Sequence, residues 1–197
     1  MRVLLFKNRV AKERKMPSAA NGPDVLAAGG GDMFLKIQGS RTGAFKGESR
    51  DPAHLDEIQV VSWGWGMSGN ASASASSGGR TSAVSQVSAR ELEIVKRVDS
   101  ATTTLMGALR NNEMLKEAVL SVRKAGGANP VEYLKITLTN ARVKSLNIES
   151  GAGGVSEALV ERIGFVFQGI TVDYRSQGTA GNSGATSSFT AEFNKDA

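Results

Sequence analysis

The apolar residues of this chain alternate with polar ones over long stretches, and the alternation changes face in three places. Leu159, Ile163, Phe165 and Phe167 are odd-numbered, whereas the apolar residues beyond Gly169, which are Ile170, Val172 and Tyr174, are even-numbered. The same change follows Val60 and Leu138. A strand that exchanges its faces needs a bulge or a bend, and such strands turn corners between two sheets. We therefore predict a mainly β fold, a compact barrel of two bent antiparallel sheets.

One segment has helical spacing instead. Leu105, Met106 and Leu109 fall on one face of a helix that Asp99 or Ser100 can cap, and the pattern ends at the next Asn-Asn pair. We expect this helix to flank the barrel. The residues predicted to build the core are Trp63, Trp65, Leu105, Leu109, Tyr133, Phe165 and Phe167.

Both tryptophans of the chain lie in the stretch IQVVSWGWGMSG, which begins at Ile58. Tryptophan is favoured in strands and glycine is not, so the two faces of this strand differ sharply. The residues predicted to point inward are Val61, Trp63, Trp65 and Met67. The residues predicted to point outward are Ser62, Gly64 and Gly66. An outer face without side chains lets another surface approach closely or lines a smooth wall.

The same stretch contains GWGMSG from Gly64 to Gly69, which matches the dinucleotide-binding pattern GxGxxG. That pattern requires a helix immediately after it, because the pyrophosphate binds at the helix N-terminus. Here a Ser/Gly/Ala-rich run from Asn70 to Arg80 follows, without apolar periodicity. We therefore expect no nucleotide cofactor, and no other cofactor is indicated.

The sequence offers little catalytic chemistry. It contains no cysteine and one histidine, His54, which lies in a loop and is expected to be solvated. The chain has no GxSxG elbow, and the acidic group of Asp51, Asp56 and Glu57 lacks metal-binding spacing. We predict no catalytic or metal-ligating residue. A small enzyme on a β-barrel is the alternative from another class, and it would require an acid-base pair in a deep pocket.

Charge divides the chain into two parts. The net charge is +5, of which residues 1–32 carry +3, so the remainder is nearly balanced and nucleic acid is not an expected partner. The apolar run Val3–Phe6 is too short for a signal peptide, and no run is long enough to span a membrane. We expect synthesis in the cytoplasm, a flexible basic extension with a Pro/Gly-rich linker over residues 1–32, and a barrel domain over residues 33–197.

From Met33 to about Gln177 the chain resembles the haemolysin-coregulated protein (Hcp) family, the tube proteins of the type VI secretion system. The segments that carry the resemblance, in order, are MFLKI, GESRDPAHLDEIQVVSWGWGMS (Gly47–Ser68), VRKAGG (Val122–Gly127), EYLKITL (Glu132–Leu138) and VDY (Val172–Tyr174). The chain departs from the family at Arg97, where an aromatic residue is usual, and in the segment Gly153–Glu161. A phage-type tail tube protein, which shares this architecture, is a second alternative.

The resemblance implies a two-sheet barrel with one helix, hexameric rings, and stacking of the rings into a tube inside a contractile sheath. It also implies ejection of the tube with its spike protein, a lumen that carries small effector proteins, and no catalysis. In the family the residue between the tryptophans, here Gly64, faces the lumen. The loop after the Trp strand contacts the next ring, and the candidates for that contact are Met67, Ser68, Asn70, Arg80 and Thr81.

Overall fold

The computed structural model of this chain describes residues 32–69, 87–124, 131–150, 159–177 and 183–193. These residues form eleven strands and one helix. In chain order the elements are β1 (Asp32–Gly39), β2 (Ala44–Phe45), β3 (Ile58–Gly64), β4 (Met67–Gly69), β5 (Val87–Ala89), β6 (Leu92–Arg97), α1 (Thr102–Arg110), β7 (Leu115–Arg123), β8 (Glu132–Ser150), β9 (Leu159–Val166), β10 (Gly169–Gln177) and β11 (Ser183–Glu192).

Six antiparallel strands close into a barrel in the order β8-β7-β1-β3-β6-β9, because β9 pairs back with β8. The long strand β8 belongs to both halves of the barrel. Its residues 132–141 pair with β7, and its residues 142–150 pair with β9. The hairpin of β10 and β11 extends the sheet beyond the first half of β8. The predicted barrel of two bent sheets is confirmed.

The bend in β8 lies at Asn140, which has a φ of +50°. Leu138 and Ala141 lie on either side of Asn140, and both are fully buried. The inward-facing positions of β8 therefore change from even-numbered to odd-numbered there. The change of face predicted after Leu138 therefore lies within one continuous strand. A single left-handed residue is enough to redirect the strand from one sheet into the other.

The change of face in β3 is a bulge at Val61. Val60 pairs with Lys96, but the next pair joins Ser62 to Val95, so one residue of β3 is left over. Val61 is that residue and is 49% exposed, which makes its predicted inward position wrong. Met67 was also predicted to point inward and is 43% exposed, because it belongs to β4, outside the barrel.

The change of face at Gly169 falls between two strands rather than within one. β9 ends at Val166 and β10 begins at Gly169, with β9 in one half of the barrel and β10 in the other. A Cβ at Gly169 would collide with the Thr139 side chain. Glycine therefore allows β10 to approach β8 at the corner.

Helix α1 packs Leu105 and Ala108 onto the barrel, and both residues are buried. Met106 was predicted on the same face but is 40% exposed, since the apolar stripe of this short helix is narrower than the pattern indicated. The N-cap residue is Ala101 and has no side-chain capping hydrogen bond, so the prediction that Asp99 or Ser100 caps the helix is wrong. Asp99 instead accepts the N–H of Ala101 at 2.9 Å. Within the described residues, no helix has the length and hydropathy of a membrane span.

The predicted core residues fall into two groups. Leu105 and Phe165 are fully buried at its centre. The other five pack against the core while remaining partly exposed: Trp63, Trp65, Leu109, Tyr133 and Phe167.

Candidate functional site

The outer face of the Trp strand is bare. Gly64 is exposed, and a Cβ built at Gly64 or at Gly66 meets no atom within 4 Å. Ser62, the third residue predicted to face outward, is partly exposed. We call these three residues the glycine wall.

Aromatic packing supports the glycine wall from the inner side. The Trp65 indole Nε1 donates a hydrogen bond to the Arg90 carbonyl oxygen at 3.1 Å. Its ring lies 6.4 Å from the Phe167 ring, and Phe167 in turn packs edge-on against Phe193 at 6.0 Å. These contacts hold Trp65, which lies between the two glycines of the wall, against Arg90 and Phe167.

Charged side chains border the glycine wall. Arg90, Glu91, Glu93 and Lys144 line an open recess together with the two glycines. Lys144 Nζ lies 3.1 Å from Glu91 Oε2. The wall therefore offers a neutral centre with ionic groups along one side.

Strands β4 and β5 form a separate two-stranded sheet, which we call the ribbon. It holds Met67 and Ser68, both exposed and both predicted to contact a neighbouring ring. The other three residues predicted for that contact, Asn70, Arg80 and Thr81, lie outside the described residues.

The β10–β11 hairpin presents an exposed edge. β11 pairs with β10 on one side, and within the described part of the chain no strand pairs with its other side. Tyr174 and Phe189 are 49% and 45% exposed on this hairpin. The resemblance loosely implies a last strand over residues 189–197, whereas β11 runs from Ser183 to Glu192. Thr186, Phe189 and Thr190 are residue types that strands favour, and they were the signal that could have revealed it.

His54 is buried rather than solvated, so the sequence-based expectation was wrong. Its ring stacks on Phe34 with centroids 4.2 Å apart and is 5% exposed. Nδ1 lies 2.8 Å from Glu57 Oε2, and Nε2 lies 3.0 Å from Glu132 Oε1. The histidine thereby joins the loop before β3 to the start of β8. Its burial depends on an aromatic partner far away in the sequence, which no local pattern reveals.

Arg123 fastens the same loop to the barrel. Its guanidinium contacts Asp51 and lies 3.1 Å from Asp32 Oδ2, with its carbon 4.8 Å from the centre of the Phe34 ring. The hydrogen bond from Arg123 holds the pKa of Asp51 below its ordinary value, and the hydrogen bond with Asp51 raises the pKa of Arg123. A carboxyl group with a lowered pKa is a poor general base near neutral pH. The described residues also contain no cluster of acidic or histidine side chains placed to hold a metal ion.

The fold and its exposed features define a class of protein: a closed β-barrel that exposes a bare wall, a ribbon and an open strand edge. A family model described as "Type VI secretion system effector, Hcp" matches residues 34–174. Protein hcp1 of Pseudomonas aeruginosa is 39% identical over 146 residues, covering 74% of this chain and 84% of that protein. The chain therefore belongs to the Hcp family and is a tube protein of the type VI secretion system.

Solved structures agree with this assignment. Hcp1 from Salmonella typhimurium has a TM-score of 0.63 and 29% identity, covering 83% of this chain and 96% of that one. A type VI secretion system effector from Yersinia pestis has a TM-score of 0.61 and 27% identity, covering 82% of this chain and all of that one. A further type six secretion system protein has a TM-score of 0.70 at 22% identity, with 83% and 96% covered, and shows the fold. The phage-type alternative is not favoured.

Proposed function

We propose that this chain forms hexameric rings that stack into the secretion tube, with the glycine wall facing the lumen. The observation that carries the proposal is the open space above Gly64 and Gly66, on either side of Trp65, which packs against the core. A tube that must let folded cargo slide benefits from a wall without protruding side chains. Gly64 occupies the position between the two tryptophans that faces the lumen in the family.

Ring closure takes place through the barrel edges in this proposal. An exposed strand edge is a template for pairing, and proteins normally cover such edges. β11 presents that edge together with the exposed apolar rings of Tyr174 and Phe189. Contact with a neighbouring subunit would cover both the edge and the rings.

The partners that follow are a contractile sheath around the tube, a spike protein at its tip, and small effector proteins in the lumen. The charged border of Glu91, Glu93 and Lys144 supplies groups that a passing effector would meet beside the wall. The tube and its cargo leave the cytoplasm through the type VI apparatus. In this arrangement residues 33–197 are the tube domain and residues 1–32 precede it, with Asp32 already part of strand β1.

The chain performs no catalysis in this proposal. The closest approach to an acid-base pair among the described residues is His54 with Glu57 and Glu132, and the ring of His54 lies against Phe34. With 5% of the histidine exposed, a substrate has little access to it. These contacts stabilise the fold by linking the loop before β3 to strands β1 and β8.

The experiment is a mass measurement of the full-length protein in solution by light scattering. The expected mass is about six times the 20.7 kDa of the chain, as the hexameric state requires. A monomeric mass at every concentration up to the millimolar range would contradict the ring.

A further inference from the structure

The sheet of the barrel splits between strands β1 and β3. The two strands pair at only two positions, and the last pair before the split joins Phe34 to Gln59. Beyond that pair β1 follows β7, whereas β3 follows β6 as far as Gly64. Within the described residues, the edge of β3 that faces β1 therefore has no strand partner from Val61 to Gly64. An unpaired strand edge is a template for another segment of polypeptide.

A cleft of about 450 Å³ opens at this split. Its walls include Phe34, Glu48, Gln59, Val61, Arg97 and Asp99. The buried ring of Phe34 and the side chain of Val61, the extra residue of the bulge, give the cleft apolar surface. Apolar surface beside an unpaired strand edge suits a peptide segment that carries apolar side chains.

Two ionic groups flank the cleft, and in each of them one cation is shared by two carboxylates: Arg123 by Asp32 and Asp51, and Lys96 by Asp99 and Glu161. Asp32 and Asp99 line the cleft directly. Each group therefore has one negative charge in excess, while the charges of Glu48 and Arg97 on the cleft wall cancel. A cleft with an excess of one sign of charge attracts groups of the opposite sign.

The chain itself contains a segment of the matching composition. Residues 1–31, which lie outside the described residues, carry six Lys and Arg against Glu13 and Asp24, and six minus two gives +4. All six basic residues and the apolar run Val3–Phe6 lie within residues 2–15. Residues 16–31 connect this basic segment to Asp32, where β1 begins at the cleft.

The length of the connection is sufficient for contact. A chain of sixteen residues without regular structure spans about 20–24 Å. Tethering over such a length raises the local concentration of a segment to about the millimolar range. The basic segment of the same chain is therefore favoured over a free partner of the same charge.

We propose that residues 2–15 bind in the cleft of their own chain. Their Lys and Arg side chains neutralise the excess negative charge, and their apolar run covers Val61 and the open edge of β3. The rival occupants are the basic segment of a second copy of this chain and a basic segment of another protein.

The bound segment lies close to the glycine wall. Arg97 lines the cleft and Glu93 lines the recess beside the wall. Both are outward-facing residues of β6, since successive side chains of a strand alternate between its faces. Four residues of strand separate them by about 13 Å. An effector in the lumen would therefore meet the basic segment beside the wall. This consequence, unlike the binding itself, rests on the proposed function.

Carbodiimide cross-linking of the full-length protein tests the contact, because it joins a lysine to a carboxylate only where the two touch. Isotope-labelled and unlabelled protein are unfolded in urea, refolded together, cross-linked, digested and measured by mass spectrometry. We expect Lys7, Lys12 or Lys15 to be joined to Glu48 within one chain. Links between labelled and unlabelled chains overturn the inference and place the segment on a second copy. Links spread evenly over exposed carboxylates, or none from these lysines, also overturn it.

Two matched variants test the role of charge. Glu48→Lys reverses a charge in the cleft, so trypsin should cleave residues 2–15 several-fold faster than in wild type. Glu117→Lys makes the same change at the other end of β1, where Glu117 pairs with Gln38, and cleavage should keep its wild-type rate. Equal rates in all three proteins, or equal acceleration in both variants, overturn the inference.

The outcome remains decidable if Glu48→Lys does not fold, since the cross-link to Glu48 is measured in the wild-type protein. That link is expected whether or not the protein forms rings. A monomeric mass therefore contradicts the proposed function alone, and a missing link contradicts this inference alone.

Discussion

Lys96 Nζ lies 3.2 Å from Glu161 Oε2, and both side chains are fully buried between strands β6 and β9. The ammonium group also lies 2.6 Å from Asp99 Oδ1, and the Thr102 hydroxyl donates a hydrogen bond to Glu161. These contacts tie the start of helix α1 to two strands of the barrel. The network stabilises the fold, and within it Glu161 Oε2 has the ion pair with Lys96 but no hydrogen bond.

Replacing one member of this pair should be costly. Lys96→Met leaves the Glu161 carboxylate buried without its cationic partner, and breaking a buried pair in this way costs about 3–5 kcal/mol. The double variant Lys96→Met/Glu161→Leu should be more stable than Lys96→Met alone. Urea unfolding measures both. The matched control is Glu149→Gln, whose exposed pair with Arg162 should contribute less than about 1 kcal/mol.

Burial ranks the aromatic residues by their effect on stability. Phe165 is fully buried, so Phe165→Ala should cost about 3–5 kcal/mol of unfolding free energy. Trp65 packs at the edge of the core and is partly exposed, so Trp65→Ala should cost less despite its larger ring. Thermal melting compares the two. A larger loss for Trp65→Ala would mean that the Trp strand is enclosed more deeply than the structure shows.

Substitutions at Gly64 and at Gly164 together test the assignment of Gly64 to the lumen. Gly64→Arg should leave folding and ring formation intact, because open space surrounds a Cβ there, and should reduce effector binding and secretion. A Cβ at Gly164 would lie 2.6 Å from Ser145 Oγ, so Gly164→Ala should destabilise the barrel itself. Melting curves and a secretion assay separate the effects. Normal secretion by Gly64→Arg would contradict the lumen position.

The buried carboxylate of Glu113 should make stability depend on pH. It accepts hydrogen bonds from the backbone N–H groups of Arg41 and Thr42, both at 2.8 Å, and from the Thr42 hydroxyl at 2.7 Å. Burial raises the pKa of Glu113, but these hydrogen bonds outweigh burial and hold the pKa below its ordinary value of 4.5. The ionised form therefore stabilises the fold above pH 4.5, and this contribution is lost as the pH falls through the lowered pKa.

The variant Glu113→Gln has no titrating carboxyl group at this position. The difference in unfolding free energy between wild type and variant therefore measures the contribution of Glu113. At pH 7 the variant should be less stable than wild type by about 1–3 kcal/mol, the range for a charged hydrogen-bonding group. The difference should shrink as the pH falls from 4.5 through the lowered pKa, because Glu113 is protonated first in the unfolded protein and then in the folded protein. A difference that stays constant from pH 7 to pH 3 would show that the carboxylate charge does not contribute.

The corners of the barrel could be predicted from the sequence because each one reverses the parity of the apolar residues. The changes after Val60 and Leu138 and at Gly169 all correspond to bulges, bends or breaks in the structure. The alternation of apolar residues does not show, however, which residue of a bulge lacks a partner in the neighbouring strand. Val61 was therefore placed inward, although it is the extra residue and points out.

Contacts between distant segments could not be predicted in the same way. His54 is buried by Phe34 and held by Glu132, residues 20 and 78 positions away. The closure of the barrel by β8 and β9 and the open edge of β11 likewise depend on pairing rather than on local pattern. The bare outer face at Gly64 was predicted correctly because alternation alone determines it.

Electron microscopy of the purified full-length protein tests the central claim most directly. The account predicts rings with six-fold symmetry and a central hole that stack end to end as the protein concentration rises. Averaged images should place the Trp strand at the inner wall of the ring. Compact single particles without a hole at every concentration, or rings with the β10–β11 hairpin lining the hole in place of the Trp strand, would contradict the account.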